Sequence, residues 1–75
     1  MTGKSIYSDK YRFLIQQLKK ARLEANLTQK DVADTLSKTQ SYISKVESGQ
    51  LRVDIIQLEQ FANLYKKKLE YFTSK

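Results

Sequence analysis

Cysteine, histidine and proline are all missing from these 75 residues, and glycine occurs only twice. Without cysteine there are no disulfides and no thiolate metal sites, a composition that suits a reducing cytosol and makes a cytoplasmic location the expectation. Without histidine as well, the usual zinc ligand sets and the Ser-His and Cys-His nucleophile pairs are excluded. Only Asp, Glu, Lys and Tyr are left as catalytic groups, so no enzyme activity, metal or cofactor is expected. Long apolar runs are also lacking. Nothing approaches the ~18 apolar residues that span a bilayer, and the amino-terminal MTGKSIYSDK has no apolar core of signal-peptide length, so no membrane partner is expected.

What is present is positive charge. Fourteen Lys and Arg against eight Asp and Glu leave a formal charge of +6, which biases the chain toward polyanions such as nucleic acid or an anionic surface. Many soluble domains are as basic for solubility alone, so the charge is weak evidence by itself. The length suits one domain, and a domain this small hides a modest fraction of its surface, so every apolar face must be used. It leaves no room for a separate ligand-binding domain, and no small-molecule ligand is expected.

Residues 1–8 are polar and aperiodic and contain Gly3, which predicts a frayed arm before a domain over 9–75. A long helix is predicted from about Asp9, with Leu14, Ile15, Leu18, Ala21, Arg22 and Ala25 on one stripe. Asn26 suits the left-handed position that ends it. Thr28 reads as an N-cap with Asp31 three residues on, a short-armed capping box, and Thr39 as the N-cap of the following helix. Gly49 closes that helix, 50–53 form a loop, and Asp54 caps a fourth helix with Ile55, Leu58, Phe61, Ala62 and Tyr65 on one face. A short final helix holds Leu69, Tyr71 and Phe72. The expectation is an all-α domain of five helices around one core, with Val32, Ala33, Leu36, Ile43, Val46, Leu58 and Phe61 buried.

The segment from Thr28 to Gly49 carries the most information. Val32, Ala33 and Leu36 recur at i, i+1 and i+4, and after a polar break Ile43 and Val46 recur at i and i+3. Two short amphipathic helices are thus written back to back, joined by a tight turn. Ala33 falls where they cross, and its small side chain lets the backbones approach at a steep angle.

This segment closely resembles the helix-turn-helix of the lambda-repressor/Cro-like, or XRE-type, regulators. The matching residues are Leu27-Thr28-Gln29, Val32-Ala33, Leu36, Gln40 to Lys45, Val46-Glu47 and Gly49. The resemblance continues to Lys20-Ala21-Arg22 upstream and to Arg52, Asp54, Leu58 and Phe61-Ala62 downstream, covering roughly residues 11 to 72. One residue departs from the pattern: Ser37 stands where the family usually has Gly at a left-handed turn.

The resemblance implies a compact DNA-binding domain whose helix at about 40–48 enters the major groove of double-stranded DNA. The face opposite Ile43 and Val46 is Gln40, Ser41, Ser44 and Lys45, which contains no acid and no bulky apolar residue. Gln can pair bidentately with adenine, Lys can donate to guanine O6 and N7, and Ser adapts to either, so these four are the candidate base contacts. Gln29 begins the first motif helix, beside an N-terminus that attracts phosphate. With Thr39, Tyr42 and Arg52, carried over by position, it makes up the candidate phosphate contacts, Tyr42 having the alternative of packing partly on the core. The resemblance also pairs Arg22 with Glu47 as a partly buried ion pair. Lys38 and the Lys66-Lys67-Lys68 run are read as solvated, the run adding only long-range attraction.

The expected function is a sequence-specific transcriptional regulator, a repressor by preference, working as a homodimer at least on DNA. The alternative is a protein-interaction module or antitoxin-like partner that reuses the fold. Tyr65, Leu69, Tyr71 and Phe72 offer more apolar area than a short terminal helix needs, which points to the C-terminal region as the dimer surface. Leu69 and Phe72 are expected to finish the monomer core, leaving Tyr71 and the neighbours of Tyr65 for a partner.

Overall fold

The computed structural model describes residues 8–74. The arm expected over 1–8 lies outside them except for Ser8, which caps the first helix by accepting the Tyr11 N–H at 3.1 Å. Five helices follow: α1 (Asp9–Glu24), α2 (Gln29–Leu36), α3 (Gln40–Glu47), α4 (Ile55–Tyr65) and α5 (Glu70–Thr73), with no strand among the described residues. Helix α1 is the spine. It packs on α3, α4 and α5, while α2 packs on α3.

Local chemistry sets the helix starts. Thr28 Oγ1 accepts the Asp31 N–H at 3.0 Å while Asp31 Oδ2 accepts the Thr28 N–H at 2.9 Å, a reciprocal box that satisfies two donors with no intrahelical partner. The hydrogen bonds from Thr28 hold the Asp31 carboxyl below its ordinary pKa. Thr39 and Asp54 cap α3 and α4 by accepting from Tyr42 N and Gln57 N, at 3.0 and 2.8 Å.

The first four helices end in one way. A residue turns left-handed, and the N–H of the next residue donates to the carbonyl five positions earlier: Leu27 to Arg22, Lys38 to Ala33, Gln50 to Lys45 and Lys67 to Ala62. Gly49 takes this conformation freely at φ 85°, but Asn26, Ser37 and Lys66 adopt it at φ 60°, 57° and 59° with a Cβ present. Asn visits this region more readily than Ser or Lys, so the strain concentrates at Ser37 and Lys66.

The core is formed by Leu18, Ala21, Val32, Ala33, Ile43, Val46, Leu58, Phe61, Ala62, Tyr65 and Phe72. Two sequence expectations need correction, the burial of Leu36 and the exposure of Tyr71. Leu36 is only half-buried, because it lies in the last turn of α2 beside the chain reversal. Ile55 shares a helical face with Leu58 but is 57% exposed, since the first turn of α4 overhangs the core. At the C-terminal end Phe72 and Leu69 finish the core, as expected of them, and Tyr65 is buried, but Tyr71, expected to be left for a partner, packs against the core as well. The docking of α5 on α1 consumes that area.

Replacing Ser37 with Gly removes the Cβ penalty at φ 57° at a smaller cost in unfolded-chain entropy, and is expected to stabilise the domain by about 0.5 to 1 kcal/mol. Thermal unfolding measures this, and a fall in Tm would show that Ser37 supplies something its backbone geometry does not.

Candidate nucleic-acid interface

Helix α3 sits between a buried and a wet side. Ile43 and Val46 are 0% and 1% exposed, while Gln40, Ser41, Ser44 and Lys45 all lie exposed. The four candidate base contacts therefore share one polar surface, and the Thr39 cap begins it.

The carboxyl end of α3 is tied to α1. Arg22, only 7% exposed, donates from Nε to Glu47 Oε2 at 2.7 Å and from Nη2 to Glu47 Oε1 at 3.1 Å, a two-pronged contact that fixes direction as well as distance. Its Nη1 donates to the Leu27 carbonyl at 2.9 Å. Hydrogen bonding to Glu47 raises the Arg22 pKa against the opposing effect of burial, so the guanidinium stays charged. Gln29 joins the same group, its Nε2 donating to Glu47 Oε1 at 3.2 Å. One of its two amide protons is thus engaged in holding α2 to α3, and the other is left for an outside acceptor.

A second bracket holds the amino-terminal half of α3. The Tyr42 hydroxyl donates to Gln57 Oε1 at 2.6 Å, joining α3 to α4. Burial, then Asp54 and Tyr11, push this phenol above its usual pKa, so it remains a donor. A hydroxyl has one proton, and here Gln57 receives it, so Tyr42 would donate to a phosphate only if that bond opened. Lys38, read as a solvated turn residue, places Nζ 5.1 Å from the centre of the Tyr42 ring.

Arg52 is exposed and stacks its guanidinium 4.7 Å from the centre of the Tyr11 ring, while the Tyr11 hydroxyl accepts the Val53 N–H at 3.2 Å. Tyr11 therefore positions both Arg52 and its loop. Neither Tyr11 nor Gln57 stood out in the sequence, since their contacts span 42 and 15 positions and follow no local pattern. Thr39 Oγ1 accepts from Tyr42 N and keeps its own proton to donate elsewhere. The lysine run has a more structural use than expected: Lys67 pairs with Glu24 at 3.1 Å and lies 4.5 Å from the centre of the Tyr71 ring.

Two short helices packed on each other across a tight turn, a capped second helix with an exposed polar face, and a buried ion pair behind it define a helix-turn-helix. The helix-turn-helix family model matches residues 18–72, and the chain belongs to that family, the lambda-repressor/Cro-like DNA-binding regulators. No curated protein and no solved structure matches the chain significantly. No described helix is long and apolar enough to cross a membrane.

The side chains of Arg22 and Glu47 are 9% and 6% exposed, so removing either leaves a poorly hydrated charge. Arg22→Met or Glu47→Leu alone is expected to cost about 3 to 5 kcal/mol, and the double replacement less than the larger single loss. Urea unfolding of the four proteins tests this; additive losses would show that the two groups are not energetically coupled.

Proposed function

We propose that this protein is a sequence-specific transcriptional regulator, acting as a repressor in the cytoplasm, that lays α3 in the major groove of duplex DNA. The observation that carries this reading is the division of α3. Ile43 and Val46 anchor it in the core, and Gln40, Ser41, Ser44 and Lys45 face outward with donors and acceptors but no carboxylate. Such a face can match base edges and is not repelled by phosphate.

Gln40 and Lys45 are the principal readers, through bidentate contact with adenine and donation to guanine, with Ser41 and Ser44 adapting between them. Gln29, Thr39 and Arg52 hold the backbone phosphates, each with a donor on the rim of α3. Tyr42 serves first to align α3 on α4, and reaches a phosphate only by releasing Gln57. One helix reads too few base pairs to select a site in a genome, so two copies on half-sites one DNA turn apart, about 34 Å, complete the recognition unit.

Selection of bound fragments from a random duplex library reports affinity, sequence and half-site symmetry together. Binding to random duplex at low salt is expected, weakening steeply as salt rises. Its absence at low salt would refute the proposal. On the selected site, Gln40→Ala or Lys45→Ala is expected to lose roughly 1 to 3 kcal/mol and relax preference at one position, whereas Arg52→Ala weakens all sequences alike and flattens the salt slope. Equal losses on selected and random duplex would remove Gln40 from base reading.

A further inference from the structure

The lysine run that the DNA reading leaves aside borders a groove of about 480 Å³ between α1 and the turn into α5. Phe13 and Tyr71, both half-buried, line it with apolar surface, and Lys66, Lys67 and Lys68 add positive charge. Gln17 donates from Nε2 to the Tyr71 carbonyl at 3.2 Å, which holds the α5 wall to α1. The groove is therefore part of the fixed packing of the domain.

The three lysines are not alike. Lys67 is half-buried, paired with Glu24 and set over the Tyr71 ring, and it offsets the dipole at the end of α4. Lys66 and Lys68 are exposed and have no ion-pair partner among the described residues. Lys66 also holds a left-handed φ of 59°, where Asn or Gly would be less strained, so the chain keeps a cation there against its backbone preference. The Tyr71 hydroxyl is buried with no hydrogen-bond partner among the described residues, a cost that an acceptor brought within reach would relieve.

These features select the occupant. Two free cations beside aromatic surface complement an anion carried next to an apolar group. The groove is open to solvent, whereas small-molecule sites enclose most of their ligand, so it suits side chains projecting from a longer segment. Glu70 is the one carboxylate in the lining. A nucleic-acid strand carries a charge at every phosphate and would press one toward Glu70, while a peptide can set a neutral residue there. We infer that this groove binds an acidic segment of a partner protein, with carboxylates on Lys66 and Lys68 and an aromatic side chain against Phe13 and Tyr71. The inference stands apart from the DNA reading, since it uses no residue of α3 and none assigned to phosphate.

The probe is a short fluorescein-labelled peptide of Glu-Phe-Glu-Gly repeats, followed by fluorescence anisotropy, with Gln-Phe-Gln-Gly and Glu-Ala-Glu-Gly repeats as references. Lys66→Asn/Lys68→Gln removes the two free cations and eases the strained turn, so thermal unfolding is expected to find it at least as stable as wild type. Lys19→Gln/Lys20→Gln makes the same change in net charge on the exposed face of α1. The groove variant is expected to bind the probe roughly 3- to 30-fold more weakly than wild type, and the α1 variant to bind it within about twofold. Both reference peptides should bind wild type more weakly than the probe does. Equal losses in the two variants would show attraction by overall charge alone, and equal binding of the Glu-Ala-Glu-Gly peptide would show that the aromatic surface takes no part. Either result overturns the inference, as does a probe that fails to bind wild type. A single-stranded oligonucleotide held in its place, and released by the groove substitutions alone, would assign the groove to nucleic acid and overturn it likewise.

Discussion

The ion pair between Arg22 and Glu47 is the interaction on which the rest of the molecule depends. One guanidinium on α1 grips the end of α3 through two hydrogen bonds and the Leu27 carbonyl ahead of α2 through a third. Gln29 adds α2 by donating to the same carboxylate. Three elements thus meet at one charge pair, and burial makes the arrangement demanding, because either charge alone would lack both water and a partner. The hydrophobic contacts of Ile43 and Val46 set the depth of α3, and the paired charges set its direction. In a 75-residue domain with no disulfide, that directional control must come from such polar contacts.

The opposite end of α3 is restrained by neutral groups. Thr39 caps it, Tyr42 ties it to Gln57 on α4, and Tyr11 on α1 steadies the following loop through Val53 and Arg52. With both ends held, Gln40, Ser41, Ser44 and Lys45 stand exposed on a rigid segment. Rigid presentation lowers the ordering cost of binding, which is what an eight-residue helix would need for the reading proposed for it. The function proposed here uses that face.

Features set by neighbours in the chain were legible in the sequence. The Thr28 box, the Thr39 and Asp54 caps and the left-handed Asn26 and Gly49 all depend on residues within a few positions, and helical periodicity picked out Val32, Ile43, Val46 and Leu58 as core. Periodicity shows which residues share a face, but not where the core beneath that face ends. Ile55 therefore shares a face with Leu58 and yet is exposed, and Leu36, expected in the core, is only half-buried. Tyr71 departs the other way: expected to be left for a partner, it packs against the core because α5 docks on α1. Tyr11, Gln57 and the Lys67 contact with Glu24 are products of tertiary packing with no local signature. The Arg22 and Glu47 pairing is equally non-local, and only the family resemblance pointed to it.

The most direct test of the central claim, that the outer face of α3 meets DNA, is a titration of the isotope-labelled protein with a short duplex, followed amide by amide. The largest shifts are expected at residues 39–45, with a second group at Gln29 and around Arg52, and little change at 66–68. Shifts centred on the Lys66-Lys67-Lys68 run, with α3 unmoved, would show that DNA is attracted by charge at another surface and would contradict the assignment of α3 as the reading helix.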